Sequence, residues 1–316
     1  MSANDTLADA DRVLAAKGKS FYWARQLLGS KHASGATRLY RFCRYVDDLA
    51  DEDQSAARSK KNIAALRESI HSGSTADAVI QDGIALINEC QIDKKVVLDL
   101  IAGVWSDTEL VRMADDAHLM QYCYQVAGTV GLMMCKVLNT DHPEAEPFAI
   151  DLGIAMQLTN ICRDVQTDAL VDRRYLPSAL VNGLAPGELV QPGEAHKQLV
   201  KQAVATLLDL ADDYYESGEK GLSYLPFRAR LAILVAARLY REIGQKLRRH
   251  GCEYWHQRIV VSKAKKLMLT LEVLLTAPLT VKFWRYPSRH DAKLHAPLAP
   301  RDAKTLLSAQ GHANGI

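Results

Sequence analysis

Apolar residues recur at three- and four-residue intervals along almost the whole chain, and the two-residue alternation of half-buried strands is rare. These stripes predict helices over residues 6–17, 33–49, 59–71, 76–90, 94–112, 115–138, 143–165, 195–218, 227–250 and 262–275, with ends uncertain by about two to four residues. Turn chemistry separates them, as at His71-Ser72-Gly73-Ser74-Thr75, Asn139-Thr140-Asp141-His142-Pro143 and Asn182-Gly183-Leu184-Ala185-Pro186-Gly187. None of these breaks is long or polar enough to be an interdomain linker, and no repeat of solenoid period is present. The pattern therefore predicts an all-α chain with a single domain over 1–284. Residues 285–316, with Pro287, Pro297, Pro300 and Gly311, read as a poorly ordered basic tail.

Composition narrows the class. A chain of 316 residues that is 48% hydrophobic can bury a sizeable core, and a net charge of +2 gives no global case for nucleic-acid binding. The charge is uneven. Residues 246–266 carry seven Lys or Arg against one acid, Glu253, and residues 282–316 carry six against two Asp. Such a region beside apolar surface suits a membrane or an anionic ligand, and an ordinary solvated face is the competing reading. The six cysteines (43, 90, 123, 135, 162 and 252) form no Cys-x-x-Cys pair, so no zinc or disulfide framework is implied and a reducing cytoplasm fits. Residues 1–6 show no basic segment leading into an apolar one, hence no secretory signal. The longest apolar stretch, 267–283, contains Glu272, Pro278 and Lys282 and makes a poor membrane span.

Two acidic clusters change the picture most. In Arg44-Tyr45-Val46-Asp47-Asp48-Leu49-Ala50-Asp51, Asp47 and Asp51 share one helix face. In Asn160-Ile161-Cys162-Arg163-Asp164-Val165-Gln166-Thr167-Asp168, the i, i+4, i+8 spacing stacks an amide and two carboxylates in one column. Carboxylates at this spacing repel unless a cation lies between them, and hard oxygen ligands suit Mg²⁺. A lone Asp pair is usually a solvated face. Here the column continues the apolar run 152–159, where polar groups cost free energy unless they bind something. Arg44 and Arg163 can pair with a neighbouring carboxylate or with a phosphate.

Between the clusters, Ala127, Gly128 and Gly131 remove side chains from one helix face. Close helix packing and a smooth groove wall for a hydrocarbon are both open readings. Tyr122 could turn its hydroxyl or ring face to a cationic centre. Lys17-Gly18-Lys19-Ser20 has the ending of a phosphate loop but neither its upstream glycine nor its strand, and is rejected as one. There is no Gly-x-Gly-x-x-Gly fingerprint and no Ser/His/Asp or Cys/His nucleophile arrangement.

The motifs in their order resemble the squalene/phytoene synthases over roughly residues 15–275, and most of all the bacterial phytoene synthases. The resemblance rests on Lys19-Ser20-Phe21-Tyr22, the two acidic clusters, residues 122–131, Tyr175-Leu176-Pro177, Tyr240 and Arg258-Ile259-Val260-Val261-Ser262. It implies the all-α isoprenoid synthase fold around a central apolar cavity. It further implies that Asp47, Asp51, Asn160, Asp164 and Asp168 hold Mg²⁺, with Mn²⁺ as a substitute ion. Ser20, Arg44 and Arg258, with Lys19, match positions that contact diphosphate, and Arg163 lies beside the metal ligands. Tyr122 and Tyr240 match tyrosines near the reacting carbons, and Phe21, Ala127 and Val130 match the prenyl channel. One departure is Asp172-Arg173-Arg174, where the family usually has Gly-Arg; Arg174 is expected to keep the basic position.

The implied reaction is head-to-head condensation of two geranylgeranyl diphosphates through prephytoene diphosphate to phytoene, the committed step of carotenoid synthesis, with no NADPH. Squalene or dehydrosqualene formation from farnesyl diphosphate stays open, because channel depth is not written in the sequence. A non-catalytic relative acting in assembly should have lost acidic-motif residues, and all five are present. A chain-elongating prenyltransferase would carry Asp-Asp-x-x-Asp in both motifs, and the second here does not. The expected partners are the prenyl diphosphate, a membrane surface and downstream carotenoid enzymes. The expected location is the cytoplasm, peripherally on the inner membrane.

Overall fold

The computed structural model describes residues 3–51, 55–140, 142–287 and 289–298. Among the described residues fifteen α-helices follow one another: α1 (Ala3–Lys17), α2 (Lys19–Arg25), α3 (Ser30–Asp51), α4 (Ala56–Ser72), α5 (Ala78–Glu89), α6 (Lys94–Ser106), α7 (Asp116–Cys123), α8 (Thr129–Val137), α9 (Glu146–Leu170), α10 (Ser178–Val181), α11 (Pro186–Val190), α12 (Glu194–Lys220), α13 (Phe227–Arg249), α14 (Lys263–Thr276) and α15 (Val281–Trp284). Among the described residues there is no strand; one isolated bridge joins Arg112 to Arg174. The all-α expectation holds.

Local chemistry fixes the starts and stops. Asp77 accepts from the backbone N–H of Val79 and Ile80, Asp93 from Lys95, Asp115 from His118 and Ser262 from Lys265, each satisfying a donor the first turn leaves unpaired. Gly73 ends α4 in the left-handed conformation that costs glycine little. Two expected helices differ. The 94–112 stripe stops at Ser106, where Asp107 caps it and a loop begins. The 115–138 stripe is interrupted by a π turn, Tyr124–Gly128, an inserted residue of the kind often found at functional sites.

α9 is the central helix. Its buried residues, from Phe148 to Ala169, are mostly apolar, and α8, α11, α12, α13 and the π turn pack around it. One core joins α7, α9, α12 and α13; a second lies among α3–α6 and α8; a third joins α2, α13 and α14. Small residues let these helices close. A Cβ on Gly153 would meet the Ala127 carbonyl oxygen at 2.3 Å, and one on Gly131 would meet that of Ala149 at 2.2 Å.

The expected tail differs in its first part. Residues 292–298 form a 3₁₀ helix, and the Tyr214 hydroxyl donates to the Leu294 carbonyl at 2.6 Å. Leu294 and Leu298 pack against the α9 core, so the apolar positions between the prolines are anchored there. Residues 299–316 lie outside the described residues.

Candidate active site

A cavity of about 580 Å³ opens between α3, α8, α9 and α13. α9 lines it from Phe148 through Leu152, Met156 and Asn160 to Asp168, which at 1.5 Å per residue is a wall of about 30 Å. One end is polar: Arg44 and Asp47 from α3, with Asn160, Arg163, Asp164 and Asp168 from α9. The remainder is apolar and includes Val130, Met134, Leu138, Leu222, Leu225 and Ile233. The two acidic helices thus do face one space. Asp51 ends α3, and its side chain lies outside the described residues.

Asp164 carries the densest polar contacts. The Arg163 guanidinium donates to both its oxygens, and Arg258 Nε donates to Oδ1 at 3.2 Å. On α3, Arg44 pairs with Asp48 one turn on, the ordinary intrahelical ion pair expected from the spacing. Asn160 Nδ2 reaches Gln157 Oε1 at 3.4 Å, but Asn160 Oδ1 is buried with no hydrogen-bond partner. A buried amide oxygen without a donor costs free energy, and a cation beside Asp164 and Asp168 removes that cost. The donor set is all oxygen, so it fits Mg²⁺.

Tyr240 also lines the cavity, its ring 5.1 Å from Phe21. Burial raises its pKa, and the Arg163 guanidinium only partly offsets this, so the hydroxyl keeps its proton. Tyr122 stacks on Tyr175 with centroids 4.9 Å apart. Both hydroxyls donate to Asp107, Tyr122 to Oδ2 at 3.0 Å and Tyr175 to Oδ1 at 2.7 Å. Burial, reinforced by the Asp107 charge, raises both tyrosine pKa values well above the ordinary one.

Of the residues singled out from the sequence, Phe21, Arg44, Asp47, Tyr122, Ala127, Val130, Asn160, Arg163, Asp164, Asp168, Tyr240 and Arg258 line this one cavity. Lys19 and Ser20 sit on α2 next to Phe21 but outside the lining; Lys17, two residues earlier, is part of it. Arg174 needs correcting. It is buried behind the wall, donating to the Leu176 carbonyl at 2.8 Å and to Ser178 Oγ at 2.7 Å. Arg173 lines the cavity instead, and its guanidinium reaches the Ala50 and Asp107 carbonyls. Asp172 turns the chain with φ +58°, and Arg174 then pairs in an isolated bridge with Arg112, which leaves Arg173 on the cavity side. Asp107 was not singled out. It is one acid in a loop, and its partners are 15 and 68 residues away.

Known proteins bear on this geometry. The family model for squalene/phytoene synthase matches residues 14–265. The chain is 32% identical over 295 residues to the phytoene synthase of Pseudescherichia vulneris, covering 88% of this chain and 93% of that protein. It is 32% identical to the 15-cis-phytoene synthase of Enterobacter agglomerans, covering 85% and 98%. A crystal structure of a dehydrosqualene synthase with ligand superposes with a TM-score of 0.77 at 26% identity, covering 88% of this chain and 98% of that one.

Proposed function

The chain belongs to the squalene/phytoene synthase family, and from that premise we propose that it is a prenyltransferase joining two geranylgeranyl diphosphates head to head to form phytoene. The observation that carries this reading is the cavity shared by two Asp-bearing helices at one end and a long apolar remainder. Relatives named phytoene synthase, matched at about a third identity over most of both chains, support the C20 substrate. The dehydrosqualene synthase shares the fold at lower identity, so the C15 alternative has the weaker support.

Asp47, Asn160, Asp164 and Asp168 fit a Mg²⁺ shell. Mg²⁺ bound there supplies positive charge that helps diphosphate depart. A cation at Asp164 would compete with Arg163 and Arg258 for the carboxylate oxygens. Both guanidiniums, with Arg44 on α3, would then be placed to bind the diphosphate oxygens. The apolar wall keeps water from the allylic carbocation, which the second prenyl double bond then attacks. Protonated Tyr240 and Tyr122 present neutral hydroxyls and ring faces rather than nucleophilic phenolates. The final cation is discharged by proton loss, so no NADPH is needed.

The test is to incubate the purified chain and Mg²⁺ with geranylgeranyl or farnesyl diphosphate, with and without NADPH. A C40 hydrocarbon from the C20 substrate without NADPH is expected, and a C30 product would overturn the reading. Asp164→Asn should abolish turnover while leaving helicity intact.

Such apolar substrates and products favour a membrane surface. No helix among the described residues is long and apolar enough to cross a membrane. α14, however, exposes Leu267, Met268, Leu271 and Leu275, continued by Leu279, Val281 and Trp284, beside Lys263 and Lys265. This is the pattern of a surface that lies on anionic lipid. Co-sedimentation with anionic vesicles should weaken in a Lys263→Glu/Lys265→Glu variant, and equal binding by both proteins counts against it.

A further inference from the structure

A second polar cluster lies away from the catalytic cavity. Asp151 is on α9, nine residues before Asn160, and at about 100° per residue it points to the opposite side of the helix. It is fully buried, and it is not part of the cavity lining. Two imidazoles from the C-terminal segment converge on it, His290 Nε2 at 2.8 Å from Oδ2 and His295 Nε2 at 2.8 Å from Oδ1. Their rings are 4.4 Å apart, and the edge of Phe148 closes one side with its centroid 5.2 Å from that of His290. Among the described residues, Asp151 pairs with no lysine or arginine.

We propose that Asp151, His290 and His295 bind one divalent transition-metal ion of the zinc class, which fastens the C-terminal segment to α9. The three residues each offer one ligand atom, and these atoms lie within 4.8 Å of one another. A tetrahedral zinc shell with bonds of about 2.0–2.1 Å needs ligand atoms about 3.3 Å apart, so each 2.8 Å contact opens by roughly half an ångström. The donor set decides the ion. Two imidazole nitrogens and one carboxylate favour zinc and its neighbours, whereas the all-oxygen catalytic site favours Mg²⁺. Both imidazoles present the same atom, Nε2, to one centre. His295, partly exposed at the segment's surface, leaves room for water as the fourth ligand. The clamp joins positions 139 and 144 residues apart, and the Tyr214 hydrogen bond to Leu294 reinforces it.

The test uses the full chain, stripped with a chelator and then returned to excess Mg²⁺ so that the oxygen site is filled. Titrated Zn²⁺ should bind at one equivalent per chain and raise Tm by roughly 5 °C at hundredfold excess over Kd. His295→Ala should lose both effects, and being partly exposed, it folds even if Asp151→Asn does not. Asp164→Asn should keep both. No stoichiometric zinc in the presence of Mg²⁺, or the same binding by His295→Ala, overturns the proposal and leaves a proton-bridged cluster. Neither readout depends on turnover, so failure here is distinct from failure of the proposed activity.

Discussion

Asp107 gives the sharpest test of how the site is held, because two buried hydroxyls depend on it. Tyr122 and Tyr175 are both nearly buried and both donate to its carboxylate. A hydrogen bond to a charged acceptor is worth about 1.5–3 kcal/mol, and a buried donor left without one costs about 1–3 kcal/mol. Asp107→Asn keeps the volume and one acceptor oxygen but turns an amide NH₂ toward one tyrosine. The expected loss is roughly 2 kcal/mol, which for a chain of 316 residues is a Tm lower by about 3 °C. Asp107→Ala orphans both hydroxyls and should cost about 3–6 kcal/mol before any relaxation. Calorimetry on Asp107→Ala, Tyr175→Phe and the double variant apportions the effect. The network reading requires a coupling of at least about 1 kcal/mol, since Tyr175→Phe removes a donor that Asp107→Ala has already stranded. Additivity within about 0.5 kcal/mol, or an Asp107→Asn protein as stable as the parent, refutes it. Activity should fall further than stability explains, because Asp107 also sets the direction of the Tyr122 hydroxyl in the cavity.

Two other outcomes follow from packing and burial. Gly153→Ala should cost about 1–3 kcal/mol, because its Cβ meets a backbone oxygen that cannot swing aside, whereas Gly187→Ala, with nothing within 4 Å, should be neutral or slightly stabilising; equal Tm values for the two would sink the close-approach reading. Burial raises the pKa of Tyr122, Tyr175, Tyr214, Tyr215 and Tyr240 in the folded chain, while the unfolded chain releases these protons near pH 10. The stability they contribute is therefore whole below about pH 10 and lost above it, at about 1.4 kcal/mol per pH unit for each, so urea midpoints should drop steeply above pH 10 and a flat profile there contradicts the burial.

The long elements were legible because their stripes are long. α3, α9, α12 and α13 each carry several turns of periodic apolar residues, and the acidic columns ride on two of them. α2 was not legible, since seven residues hold too few repeats to show a period. The π turn at Tyr124–Gly128 was hidden because one inserted residue changes the local winding without changing composition. For Ala127 and Gly131 the spacing leaves packing and groove wall open; the structure shows Gly131 against the α9 backbone and both residues in the cavity lining. Arg173 and Arg174 could not be told apart, because their roles depend on the left-handed φ of Asp172 rather than on their own chemistry. Asp107, His290 and His295 were missed for a shared reason: each acts through partners remote in sequence, and two of them sit in a proline-rich stretch that reads as tail.

The two acidic clusters differ in what guards them, and that difference is measurable at Arg258. In the first cluster the arginine pairs with Asp48, beside the cavity-lining Asp47. In the second, Arg163 and Arg258 both bond to Asp164, a candidate ligand itself. A cation at Asp164 therefore competes with both guanidiniums for its oxygens, and diphosphate offers the guanidiniums a replacement partner. Arg258→Gln then has two opposite effects. Asp164 loses a competitor for the cation, and the diphosphate loses a donor. Because Arg258 is mostly exposed, its bond to Asp164 is worth no more than about 1 kcal/mol, so the Mg²⁺ concentration for half-maximal binding should fall by up to about fivefold. The KM for the prenyl diphosphate should rise in the same variant. An arginine that was only surface charge moves neither quantity, and one that served only the substrate raises KM without tightening Mg²⁺. Only a residue that exchanges carboxylate for diphosphate shifts the two in opposite directions.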